Sequence, residues 1–168
     1  DNSGYGKIIA TRGTSRWQAS EGPEVIYRDG YYYLFLAYGS LSVEYNTRVC
    51  RSKNIDGPYV DIHGNSAMGS AQLYPILTAP YRFDNSYGWV GISHCGIFDD
   101  GAGNWFYTSQ GRFPVNVGGN EYSNAIMMGH VRSIRWDANG WPLVMPERYG
   151  AVPQAPITEN EIAGDWEH

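Results

Sequence analysis

The chain has 168 residues, with 12 Lys plus Arg, 17 Asp plus Glu and a net charge of -5, and it carries 14 Tyr, 6 Trp and 5 Phe. A charge-poor, aromatic-rich composition with 42% hydrophobic residues is that of one compact unit with a core, not of a disordered chain or a coiled coil. The negative balance and scattered cations leave no basic field for a nucleic-acid backbone. No apolar run approaches the roughly 18 residues of a membrane-spanning helix.

With 21 Gly and 9 Pro punctuating short runs of Val, Ile, Tyr, Phe and Trp, and no stretch holding a helical period, the sequence reads as all-β. Strands are predicted, in chain order, at Glu24 to Tyr27, Tyr31 to Tyr38, Thr47 to Arg51, Leu73 to Leu77, Trp89 to Ile92, Gly96 to Phe98, Asn104 to Ser109, His130 to Trp136 and Trp141 to Val144. The Gly, Ser and Asn stretches His63 to Ser70 and Val115 to Asn124 read as loops. No domain boundary is visible.

A degenerate repeat runs through these elements. An apolar strand, a turn at Asp29-Gly30 and an aromatic strand recur around Asp100-Gly101, 71 residues later, and more loosely around Asn139-Gly140. That hairpin pattern is what a β-propeller blade repeats, although a sandwich would also use it. At roughly 40 to 50 residues per blade, the chain supplies at most three or four blades, so any propeller is incomplete. The sequence starts at Asp1 without Met or signal peptide and stops in a mixed polar and aromatic segment. A chain cut at both ends is therefore expected.

Two cysteines, Cys50 and Cys95, lie in strand-like runs and outside ligand spacing. Buried thiols and a single disulfide both remain open, with buried thiols favoured.

Glu21 stands before Gly22-Pro23 and a strand, with Trp17 close in sequence. A carboxyl group on such a rigid loop, partly desolvated by an aromatic ring, has the character of a general acid. A surface glutamate beside a turn is the plainer alternative. Glu24 is expected on the strand with local partners. His94 sits in an apolar stretch at a strand start, where it is either a core histidine or a group that ligates a metal or orients water. Arg112 follows an aromatic strand and either bonds sugar hydroxyls or joins a surface ion pair. Asp99-Asp100 and Asp56-Gly57-Pro58 read as turns. Trp17, Trp89 and Trp105 are candidate platforms for sugar faces. No nucleophile elbow, phosphate loop or zinc framework occurs.

Ser20-Glu-Gly-Pro-Glu-Val-Ile-Tyr27, Tyr45-Asn-Thr-Arg-Val-Cys-Arg-Ser-Lys-Asn-Ile-Asp-Gly-Pro-Tyr59, Gly91-Ile-Ser-His94 and Trp141-Pro-Leu-Val-Met-Pro-Glu-Arg148 together resemble the later half of glycoside hydrolase family 43 endo-1,5-α-L-arabinanases. The resemblance covers nearly the whole chain. It implies an all-β fold that is part, about three blades, of a five-bladed β-propeller, with residues 1–168 forming the C-terminal part of one catalytic domain.

It also implies inverting hydrolysis of internal α-1,5 bonds in arabinan or arabino-oligosaccharides. In that family one Asp acts as base, a second Asp modulates the acid, and a Glu is the acid. Glu21 matches the acid. The two Asp residues would lie upstream of Asp1, so their roles do not pass to Asp29, Asp56 or Asp100. The segment alone is thus expected to be inactive without the upstream half of the propeller. His94 matches a histidine that borders calcium or another hydrated cation in the central channel. Trp17 and Arg112 are the expected substrate-binding residues. Exo-arabinanase or α-L-arabinofuranosidase activity of the same family, and a non-catalytic carbohydrate-binding propeller, are the alternatives. The substrate, a plant cell-wall polymer, implies an extracellular or periplasmic protein.

Overall fold

The computed structural model describes residues 4, 6–12, 20–69, 72–83 and 85–150. Two four-stranded antiparallel sheets account for the regular structure. The first has the order β1 (Ser20–Arg28), β2 (Tyr31–Tyr38), β3 (Asn46–Ser52), β4 (Ile76–Thr78); the second has β5 (Gly96–Asp99), β6 (Trp105–Gly111), β7 (Met128–Trp136), β8 (Pro142–Val144). Each sheet is a simple meander. β1 lies against β5 and β4 against β8, so the two sheets face each other in the same orientation, first strand by first strand and last by last.

β2 is buried on both faces from Tyr33 onward, which is why its sequence is a continuous apolar run and not an alternating one. Its even and odd residues feed different cores. Tyr33 and Phe35, with Val49 and Leu77, meet Ile97, Tyr107, Ile134 and Trp141 of the second sheet. Leu34, Leu36 and Tyr38, with Cys50, pack on the opposite face against Tyr59, Ala67 and Leu73. Cys50 and Cys95 consequently belong to separate clusters and are free buried thiols.

The repeat in the sequence maps onto equivalent hairpins. Asp29-Gly30 joins β1 to β2 as a two-residue turn with φ of 49° and 84°, the left-handed pair that a type I′ hairpin requires. The turn at Asp100-Gly101 joins β5 to β6 and is longer, residues 100–104, because Asp99 pairs with Trp105. The Asp100 carboxylate holds it by accepting from the amides of Ala102 and Asn104 and from the Asn104 side chain. The third version closes β7 and β8 in the same manner, with Asp137 accepting from Asn139 and Trp141. It is the outer hairpin of the second sheet and not the opening of another.

Three expected strands come out differently. Glu24 to Tyr27 is longer, Ser20–Arg28, so Glu21 lies on the strand and not on a loop before it. Leu73 to Leu77 contracts to Ile76–Thr78, since Pro75 has no amide to give the ladder and the Tyr74 amide is taken by the buried Asp61 carboxylate. Trp89 to Ile92 is not a strand. Trp89 bridges Tyr81 and Val90 bridges Arg112, so neighbouring residues pair in different directions. Gly91, at φ 67°, ends the pairing.

Candidate active site

The pairing of β1 with β2 slips at Gly22-Pro23: Glu21 opposes Ala37 and Glu24 opposes Phe35, so three steps on one strand match two on the other. This is a bulge with its glycine in the left-handed region, φ 55°. In a regular strand Glu21 and Glu24 would point to opposite faces. The extra residue brings Glu21 to the face shared by Phe35 and Ala37, which is the face turned to the second sheet. Pro23 is tolerated because a bulge on an outer strand leaves an amide position without a ladder partner. Glu24 lies half-buried on β1, close enough to the Cys95 thiol to affect it.

Glu21 is exposed, and its Oε1 accepts a hydrogen bond of 2.6 Å from the Tyr45 hydroxyl. Tyr45 is 1% exposed, and its hydroxyl also stands 3.1 Å from His94 Nδ1. Burial, reinforced by the hydrogen bond to Glu21, pushes the phenol far above its ordinary range, so it remains a donor. Its one proton goes to Glu21, and His94 must therefore supply the proton of the second bond from Nδ1. A neutral His94 of that tautomer leaves Nε2 as a bare acceptor. Gly22 completes the cluster: a Cβ there would sit 3.0 Å from the His94 ring. Three separate segments, the β1 bulge, the residue before β3 and the loop before β5, thus converge.

His94 itself has φ 57° and an exposed side chain. It is not a core histidine. A non-glycine residue in the left-handed region is held there by its surroundings, and the preceding residue shows how. The buried Ser93 hydroxyl donates to the Asn46 carbonyl at 3.0 Å. Thr47 must then donate to Ser93, 2.8 Å away, and Tyr107 to Thr47, 2.7 Å away. This one-way chain of hydroxyls runs from β6 through β3 to the loop. Thr78 ties in the same loop by donating to the Ile92 carbonyl at 2.7 Å. Fully satisfied buried networks of this kind fix one arrangement.

Arg112 is 9% exposed, and its described partners are backbone carbonyls, not an acid. Its Nη1 donates to the Asn124 carbonyl, and its Nη2 donates to the carbonyls of Leu41 and Ser42. It clamps the β2–β3 loop, which leads into Tyr45, to the segment after β6. Of the aromatic candidates, Trp89 is stacked on Phe113 at 4.6 Å with the Arg148 guanidinium 5.0 Å from its ring. Trp105 lies edge-on to Trp136 in the core. The Trp89 ring thus has one face covered by Phe113. Trp17 lies outside the described residues.

Among the described residues no group of three His, Cys, Asp or Glu is assembled for a metal ion. What His94 offers is one imidazole nitrogen beside a carboxylate. That donor set suits an ion held mainly through water and not one chelated by the protein, since calcium takes most of its ligands from oxygen.

Residues 2–142 match the model of glycosyl hydrolases family 43. The chain belongs to that family. It is 31% identical over 97% of its length to the extracellular endo-α-(1→5)-L-arabinanase 2 of Bacillus subtilis (strain 168), and spans 37% of that protein. It is 28% identical over 74% of its length to the extracellular exo-α-(1→5)-L-arabinofuranosidase ArbA of Cellvibrio japonicus (strain Ueda107), covering 33% of it. Among solved structures, endo-1,5-α-L-arabinanase from Thermotoga petrophila RKU-1 in complex with TRIS superposes with a TM-score of 0.78 at 31% identity, covering 96% of this chain and 37% of that one. The two sheets of this family 43 chain are accordingly blades of a partial five-bladed β-propeller. The chain spans about a third of the length of these two curated relatives.

Tyr45, Thr47, Ser93 and Tyr107 were not singled out from the sequence. Tyr45, Thr47 and Ser93 do fall within the resemblance motifs, but their partners lie 24 to 60 residues away, and no local pattern marks them.

Proposed function

We propose that this chain contributes the acid half of an inverting endo-1,5-α-L-arabinanase site, with Glu21 as the general acid. The observation that carries the reading is the placement of the Glu21 carboxyl. It is exposed for substrate on one side and fixed by the Tyr45 hydroxyl on the other. An inverting glycosidase needs an acid to protonate the departing oxygen and a base across the sugar to activate water, with the carboxyls about 6.5 to 9.5 Å apart. The base is taken to come from a part of the propeller outside these residues, so the segment alone is expected to be inactive. Arabinan and arabino-oligosaccharides are the proposed substrates. The relative's designation as extracellular supports export of the protein.

Tyr45 keeps Glu21 in one orientation without competing for a proton, because its own hydroxyl stays protonated. His94 would hold a hydrated cation, calcium or a similar ion, through Nε2, and such an ion supplies fixed positive charge beside the carboxylates. Arg112 acts in this reading by holding the loop that carries Tyr45, and Trp17 remains the proposed sugar platform.

The test is Glu21→Gln in the complete protein, assayed on linear arabinan. Turnover is expected to fall by at least about 10²-fold, the lower end of general acid catalysis, while oligosaccharide binding is retained. Unchanged turnover would remove Glu21 from the mechanism, and full activity of the isolated chain would remove the need for an upstream base. An exo-acting enzyme, favoured by the likeness to ArbA, is distinguished by its products: one short product from the first minutes, where endo cleavage yields a ladder.

A further inference from the structure

β7 carries a second polar cluster, remote in sequence from Glu21 and unused by the reading above. His130, Arg132 and Ile134 alternate along the strand and so share the face turned to the first sheet. At Ile134 that face is apolar; at Arg132 and His130 it becomes polar while staying buried, with the two residues 1% and 2% exposed.

Arg132 Nη2 donates to His130 Nδ1 at 2.9 Å and to the Tyr81 hydroxyl at 3.1 Å, and Nε reaches the Pro146 carbonyl. Every one of these partners is neutral. Among the described residues, Arg132 Nη1 is buried with no hydrogen-bond partner, and so is His130 Nε2. The two ion pairs found among the described residues, Lys7 with Asp56 and Arg28 with Asp29, are elsewhere. A second cation, Arg148, lies near enough to act on His130. A buried guanidinium without a counter-charge is costly, and proteins meet such a charge by pairing it.

Arg132 also lines a cavity of about 260 Å³ between the outer strands of the two sheets. Thr78, Tyr81 and Met145 contribute to its wall, and among the described residues no carboxylate does. The volume accommodates an ion with several waters, each of which occupies about 30 Å³.

We propose that this inter-sheet cavity binds a small monovalent anion of the halide class, with Arg132 Nη1 as its anchor. Seated between β4 and β8, the ion neutralises the buried arginine and joins two neighbouring blades at their outer edge.

Two measurements on the complete protein test this. Crystals soaked in sodium bromide should give an anomalous peak within hydrogen-bonding distance of an Arg132 nitrogen. In solution, replacing gluconate by chloride at constant ionic strength should raise Tm saturably, by about 1–2 °C at a tenfold excess over Kd for a protein the length of its curated relatives, and Arg132→Met should abolish the rise. Should Arg132→Met not fold, the bromide peak decides. Bromide confined to exposed residues, an adventitious ion only, would overturn the proposal. So would a protein carboxylate filling the cavity, or a wild-type Tm indifferent to chloride.

Discussion

The environment of His130 makes acid stability of the protein depend on one imidazole. Its Nδ1 accepts from Arg132, its ring meets the edge of Trp89 with centroids 4.1 Å apart, and the groups that act on it electrostatically are Arg132 and Arg148. Gly111 of β6 backs the ring so closely that a Cβ would come within 2.8 Å of it. Burial first, then the two arginines, push the imidazole down to about 4. The unfolded chain takes up this proton near pH 6.5. Between those values the unfolded state binds more protons than the native state, so stability falls as pH falls. The contribution is fully present above pH 6.5 and lost through the window down to about 4. At about 1.36 kcal/mol per unit the loss is about 3 kcal/mol. His130→Gln keeps an acceptor for Arg132 and removes the titration. Urea unfolding at pH 7 and pH 4, in gluconate to avoid halide, should show the wild type losing about 3 kcal/mol more than this variant. Equal losses, or a His130 ring resonance titrating near 6.5, would refute the argument.

Gly22→Ala should cost about 1–2 kcal/mol for a left-handed backbone carrying a side chain, and should reduce arabinan turnover in the complete protein, because the new methyl meets the His94 ring at 3.0 Å; the check is kcat together with Tm. Tyr107→Phe removes the donor that starts the hydroxyl chain to Ser93 and should destabilise by about 1–2 kcal/mol, measured by urea midpoint. Burial pushes the Cys50 and Cys95 thiols up to about 12, so a thiol reagent at pH 8 should label neither in the native protein and both in urea.

The all-β class was legible in the sequence because β structure here is written locally. The run Tyr31–Tyr38 matches β2 in both bounds, and Asp29-Gly30 specifies a two-residue hairpin without help from distant residues. The Glu-Gly-Pro segment reads in the sequence as a turn ahead of the strand, and only the pairing register shows it to be a bulge within β1. What sequence pattern misjudged was where pairing partners change. Trp89 to Ile92 has strand composition, yet its neighbours lie on two different segments.

The site was legible only in its end members. Glu21 and His94 could be named from motif resemblance, but the residue that joins them is Tyr45, and nothing near Tyr45 in the chain reveals which groups it will meet. Arg112 illustrates the same limit, since a surface-looking arginine turned out to bind three backbone carbonyls from two loops. Strand identity and turn type depend on interactions within a few residues, and the sequence alone determines them. Which face Glu21 takes, what holds His94 in its left-handed conformation and why Arg132 is buried without an acid are settled by contacts between the two sheets. Those contacts exist only once the chain has folded.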